Sequence, residues 1–125
     1  MNGFIGDLED RTEGNSDFRR VVYTGAHLQL VLMSLEPGEE IGLETHEDTD
    51  QFFRVETGKG LVSIDGHETV IENGSGIVVP AGARHNVTNT GAKTMKLYTV
   101  YAPPHHEDGT VHHTKADAEQ EVVRD

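Results

Sequence analysis

Gly74-Ser75-Gly76-Ile77-Val78-Val79-Pro80-Ala81-Gly82-Ala83-Arg84-His85-Asn86-Val87-Thr88-Asn89 is the stretch on which the reading of this chain turns. Two short β-branched runs flank a turn in which Pro80 fixes φ and Gly82 supplies conformational freedom, so the segment predicts strand, turn, strand. The turn delivers His85 at the start of the second strand. Side chains alternate along a strand, so His85 and Val87 share one face and Arg84 points to the other.

Outward from this segment the same punctuation recurs. Val21–Tyr23, Ala26–Leu35, Ile41–His46, Gln51–Thr57, Leu61–Ile64, Glu68–Ile71, Gly76–Val79, His85–Asn89 and Met95–Tyr101 are strand-like runs separated by Gly, Pro and acidic turns. Such spacing predicts an all-β sandwich or barrel. Asp65-Gly66 is a type I′ hairpin signal, since both residues tolerate positive φ. Residues 1–20 are polar and Gly-rich without a core-forming period and read as an N-terminal arm, leaving 21–103 for the barrel. Pro103-Pro104 ends the last strand. Residues 104–125 then form a loop and a short helix, whose helix formers stand behind a Thr114 cap with Asp117 at the capping-box position.

With 125 residues the chain is one domain, and one core must serve every purpose. Ten Lys and Arg against 22 Asp and Glu leave a formal charge of -12, a field that repels phosphate backbones and anionic membranes. Nucleic acid and membrane surfaces are excluded as partners. The absence of cysteine removes disulfides, thiolate nucleophiles and Cys-type zinc sites, so any metal must use His and oxygen ligands. The first ten residues lack a basic n-region and meet acidic residues early, unlike a signal peptide. The longest apolar stretch, Leu28–Leu35, is interrupted by Gln29 and Ser34 and falls far short of the ~20 residues a membrane span needs. A soluble, cytoplasmic protein is expected.

The chemistry gathers at four positions. Glu44 and His46 are two apart in a strand-like segment, so a carboxylate and an imidazole leave the same face. Gln51 follows the acidic turn Glu47-Asp48-Thr49-Asp50, and antiparallel return of its strand could bring its amide beside the pair. His85 arrives from the second segment. At these residues the chain resembles the cupin superfamily, whose motifs run G-x5-H-x-H-x3-4-E-x6-G and G-x5-P-x-G-x2-H-x3-N. Gly38, His46 and Gly58 fit the first motif, and Gly74, Pro80, Gly82, His85 and Asn89 fit the second. Glu44 stands where the first His is usual and Gln51 where the Glu is usual, so the ligand set is rearranged at unchanged formal charge.

The resemblance implies a single-domain jelly-roll β-barrel holding one divalent ion on Glu44, His46, Gln51 and His85. Two imidazoles, a carboxylate and an amide suit Zn, Mn, Fe(II), Co or Ni and leave positions open for water or substrate oxygens. The bland alternative is a metal-free cupin whose polar pocket holds water. For the glycines and Pro80 the structural role suffices. His67 reads as a solvated turn residue and His27 as a packed or surface residue. His105-His106 and His112-His113 could form a second metal site or a lid over the barrel mouth, against a solvated acidic loop as the compositional reading.

Within the cupins the chain resembles small stand-alone members of the kind labelled mannose-6-phosphate isomerase-like, a label that does not establish function. Three functions follow. The first is a metalloenzyme acting on a sugar or keto acid by isomerisation, epimerisation or decarboxylation, with the ion as Lewis acid and, as proton acceptor, a metal-bound hydroxide in preference to Glu44, a weak base once ligated. The others are a non-haem Fe(II) oxygenase and a non-catalytic small-ligand-binding module. Strand parity also turns Leu43 and Phe52 outward, which together with the family resemblance predicts a homodimer at that face with Phe4 and Ile5 of the arm nearby.

Overall fold

The computed structural model describes residues 3–120. In chain order the elements are α1 (Leu8–Gly14), β1 (Arg19–Thr24), β2 (Gln29–Leu35), β3 (Glu44–Thr45), β4 (Asp50–Thr57), β5 (Lys59–Ile64), β6 (His67–Glu72), β7 (Gly76–Val79), β8 (Arg84–Asn89), β9 (Met95–Ala102), β10 (Val111–His112) and α2 (Lys115–Glu119). The strands form a six-stranded sheet, β10-β1-β2-β9-β4-β7, facing a four-stranded sheet, β3-β8-β5-β6. All named pairings are antiparallel. This is the all-β architecture the strand spacing predicts and the jelly-roll barrel the family resemblance implies, with the short C-terminal helix in place.

Register explains how one barrel can be apolar at one end and chemical at the other. On the inner face of the larger sheet, Leu35 pairs with Met95, and Met33 pairs with Leu97, which pairs with Val55. The next row holds Val31, Thr99, Phe53 and Ile77. The last holds Gln29, Tyr101, Gln51 and Val79, all buried. Period-2 alternation thus lays apolar rows on the floor and middle and an amide-rich row at the mouth. The smaller sheet answers with Val62, Ile71 and Val87 inside, and pairs Glu44 with His85 and His85 with Ile64 at the mouth.

Two local devices hold the floor. Asn89 is fully buried, and its amide Nδ2 donates to the carbonyls of Leu35 and Lys93, while Oδ1 accepts from Gly91 N–H. It ties the end of β2 to the β8–β9 turn. Gly60 sits where a Cβ would collide with the Thr88 carbonyl and the end of Met95, so the close approach of β5 and β8 requires glycine. The expected hairpin is present, with Asp65 at φ 49 and Gly66 at φ 84.

Three boundaries differ from the sequence reading. β1 begins at Arg19, and the arm contains α1, which packs on β9 and β4. Asp7 caps this helix by accepting from Asp10 N–H. The arm buries Thr12, Asn15, Phe18 and Arg19, a mostly polar set that gives no hydrophobic period. β10 adds an edge strand beyond the barrel boundary expected at residue 103. The Thr114–Asp117 capping box is formed as expected, and the expected helical residues 121–123 lie outside the described residues. No helix among the described residues is long and apolar enough to cross a membrane.

Candidate metal centre

The mouth of the barrel brings Glu44, His46, Gln51 and His85 towards one interior space. Glu44 and His46 do share a face: the Glu44 Oε1 and His46 Nε2 atoms are 4.0 Å apart. His85 faces His46 with ring centroids 5.3 Å apart. Gln51 arrives by a different route from the one its spacing suggests. The chain crosses between sheets after β3, so Gln51 projects from the six-stranded sheet, opposite the sheet that carries Glu44 and His85.

Each side chain is oriented by a bond that leaves its other polar atom free. His85 Nδ1 lies 3.1 Å from the Ala83 carbonyl, which can only accept, so the ring donates there and its Nε2 lone pair faces inward. Gln51 Nε2 donates to Thr99 Oγ1 at 2.9 Å, which leaves Oε1 as an acceptor. His46 Nε2, His85 Nε2 and Gln51 Oε1 are all buried and all lack a hydrogen-bond partner. Native interiors seldom leave one such atom unpaired. Three orphaned lone pairs beside a carboxylate fit a dication, and second bonds of the Ala83 and Thr99 kind commonly orient metal ligands.

A fifth residue joins them. Glu44, His46 and His105 present ligand atoms that all lie within 4.8 Å of one another. The His105 ring stands 4.1 Å from His46 and stacks on Tyr101 at 5.4 Å. It is held there through the main chain: Gln29 Oε1 accepts from the N–H groups of both His105 and His106, and Gln29 Nε2 donates to the His106 carbonyl and to Thr24 Oγ1. The His-rich segment after Pro103-Pro104 therefore passes along the mouth as a strap at His105, which is itself exposed, and at half-buried His106, while Glu107-Asp108-Gly109 is exposed as the compositional reading has it. His112 is buried in β10, and exposed His113 bonds Asp17 at 2.6 Å. His27 and His67 are exposed.

Burial sets the protonation of the mouth. It holds His46 below the usual imidazole range, aided by the charges of His85 and Arg19. Burial likewise lowers His105, with His46 adding to it, and takes His106 down to about 3. Neutral imidazole is the form that ligates metal. Burial also pushes the Tyr101 hydroxyl up to about 12, so it stays protonated, 3.3 Å from His106 Nε2.

The family model of the cupin domain, Cupin_2, matches residues 31–101. The uncharacterized protein YrkC of Bacillus subtilis (strain 168) is 48% identical over 121 residues, which cover 92% of this chain and 65% of that protein. The chain thus spans just under two thirds of that relative's length. The crystal structure of BH2720 from Bacillus halodurans superposes with a TM-score of 0.92 at 48% identity, covering 94% of both chains. The Thermotoga maritima protein tm1287, described as a predicted oxalate decarboxylase, superposes with a TM-score of 0.59 at 25% identity, covering 61% of this chain and 66% of that one. The matched span runs from β2 to β9 and contains Glu44, His46, Gln51 and His85, and on these grounds the chain belongs to the cupin domain family.

Proposed function

We propose that Glu44, His46, Gln51 and His85 hold one divalent ion, Zn, Mn, Fe, Co or Ni, in an enzyme that acts on a small oxygenated substrate such as a sugar or keto acid. The observation that carries this reading is that three ligand atoms, His46 Nε2, His85 Nε2 and Gln51 Oε1, are buried without a partner, with His46 standing beside both Glu44 and His85. His105 closes the set from the strap. When bound, the ion supplies Lewis-acid polarisation of substrate oxygens, the chemistry of isomerases, epimerases and decarboxylases. The likeness to tm1287 is of the same kind.

The chain's own groups divide the remaining work. Ala83 and Thr99 fix the His85 and Gln51 side chains before any ligand arrives, so little ordering cost remains at binding. Tyr101 keeps its proton and supports the mouth through His106. Glu44 is half-buried and closest to solvent of the four, which makes it the group able to take or return a proton at the entrance. Metal analysis of protein purified without a tag tests the site: His46→Ala and His85→Ala should lose the ion that His67→Ala keeps. Equal metal content in the three variants refutes it.

We also propose a homodimer through the outer face of the larger sheet. Phe52 lies there against Tyr98, and its cross-strand neighbour Val78 is 69% exposed. Leu43, though exposed, adjoins the other sheet, so the expected interface narrows to Phe52 and Val78. Ile5 of the arm stands 97% exposed and is free to join it.

A further inference from the structure

We infer that the cleft between β1, Glu44 and α2 receives the carboxylate of a small organic acid, and that Arg19 is the side chain that binds it. The cleft has a volume of about 290 Å³, and its walls include Phe18, Arg19, Ile41, Glu44, Lys115 and Ala118. Arg19 comes to it from β1 of the larger sheet and Glu44 from β3, an edge strand of the smaller one.

Arg19 is the anomaly in this wall. It is 7% exposed and takes its place in the inner row with Met33 and Leu97, where a permanent positive charge needs compensation. Among the described residues no carboxylate pairs with it. Nη1 donates to His112 Nδ1 at 3.1 Å, and the guanidinium stands 5.2 Å from the Phe18 ring centroid. Arg19 Nε is buried without a hydrogen-bond partner among the described residues, and none of the ion pairs among them involves Arg19.

An unsatisfied donor on a buried cation, lining a cleft, calls for an acceptor that brings a negative charge with it. The planar guanidinium matches a carboxylate in both geometry and charge. Phosphate fits less well. Arg19 and Lys115 are the cations of the cleft against Glu40, Glu44 and Glu119, and the chain carries a formal charge of -12, so a dianion meets more repulsion than a monoanion. The inference rests on the metal reading in one respect: Glu44 belongs to both sites, so an acid seated on Arg19 has a second oxygen available to the ion. That arrangement favours a keto or hydroxy acid over a neutral sugar.

The test is calorimetric titration of metal-free and zinc-loaded protein with acetate, pyruvate, malonate, pyruvamide as the uncharged analogue of pyruvate, and inorganic phosphate. Pyruvate should bind at least ~10-fold more tightly than pyruvamide, and Arg19→Gln should remove that preference, the scale expected for a hydrogen bond to a charged group. Metal content should be the same in Arg19→Gln as in the wild type. Should that variant fail to fold, the Nε–H resonance of Arg19 in the wild type decides: it should move on titration with pyruvate. Equal affinity for pyruvate and pyruvamide, undiminished preference in Arg19→Gln, an Nε–H resonance unmoved at saturation, tighter binding of phosphate, or no saturable binding of any carboxylate each overturns the proposal. Failure to take up any of zinc, manganese, iron(II), cobalt and nickel refutes the metal reading, while carboxylate binding by the metal-free protein still reports on Arg19.

Discussion

Replacing His85 with Phe separates what the mouth costs from what it binds. In the metal-free protein the His85 Nε2 atom is buried and unpartnered, a penalty of about 1–3 kcal/mol, while its Nδ1 bond to Ala83 returns about 0.5–1.5 kcal/mol. A phenyl ring removes both and keeps the aromatic contacts with Phe53 and His46, whose centroids lie 6.2 and 5.3 Å from the imidazole. The metal-free variant should therefore melt within a few degrees of the metal-free wild type. The loaded proteins should differ sharply. An ion at 100 times its dissociation constant stabilises the wild type by about 2.7 kcal/mol. For 125 residues the unfolding entropy is about 0.26 kcal/mol per kelvin, so the wild-type Tm should rise by about 10 °C. Scanning calorimetry of both proteins with a chelator and with zinc reads all four values. A zinc-induced rise in His85→Phe equal to that of the wild type would refute the reasoning, as would no rise in either protein.

Three further outcomes can be checked. Gly60→Ala should cost about 2 kcal/mol or more, because its Cβ would overlap the Thr88 carbonyl, a backbone atom that cannot rotate away; a Tm unchanged within a degree contradicts this. Asp17 is subject to burial, which alone would raise it, but hydrogen bonds from His113 and Arg20 outweigh that and hold it below 3.8, so its contribution is complete above that value and vanishes as pH falls through the lowered one. The stability difference between wild type and Asp17→Asn in denaturant titrations should accordingly shrink below pH ~3.8, and a difference that grows with acid refutes the sign. Light scattering at micromolar concentration should give a dimer for the wild type and a monomer for Phe52→Asp; a monomeric wild type ends the dimer proposal, and a dimeric variant the assigned interface.

Strand alternation carries most of what the sequence discloses about this site. It places Glu44 and His46 together and turns His85 inward and Arg84 outward, because a period of 2 leaves no freedom once one residue is assigned a face. Gln51 was legible as a ligand candidate but not by its path, since a short acidic turn does not reveal that the chain changes sheets after β3. Gln29 and Arg19 escaped, and His105 was legible only as part of a tract for a second metal site or a lid. Gln29 reads as a mere interruption of an apolar run, yet a polar residue within Leu28–Leu35, whose β2 portion is buried throughout, was the available sign that its amide has a partner to hold. His105 lies beyond a Pro-Pro break, where no periodicity fixes direction. Arg19 falls in a stretch without apolar rhythm, because the arm buries polar side chains by bonding them, not by patterning.

The hold of Gln29 on the strap has a consequence for how such a site can change over generations. All three of its bonds to the strap are to main-chain atoms of His105 and His106, groups that nearly every amino acid carries. The loop's course across the opening is thereby uncoupled from the identity of its side chains. Substitutions at 105 and 106 can alter what is presented to the interior, a ligand in one descendant and an apolar cover in another, while the path of the chain stays fixed. The barrel offers a socket with an exchangeable insert, and the part that cannot be exchanged is a buried glutamine on the opposite side of the joint.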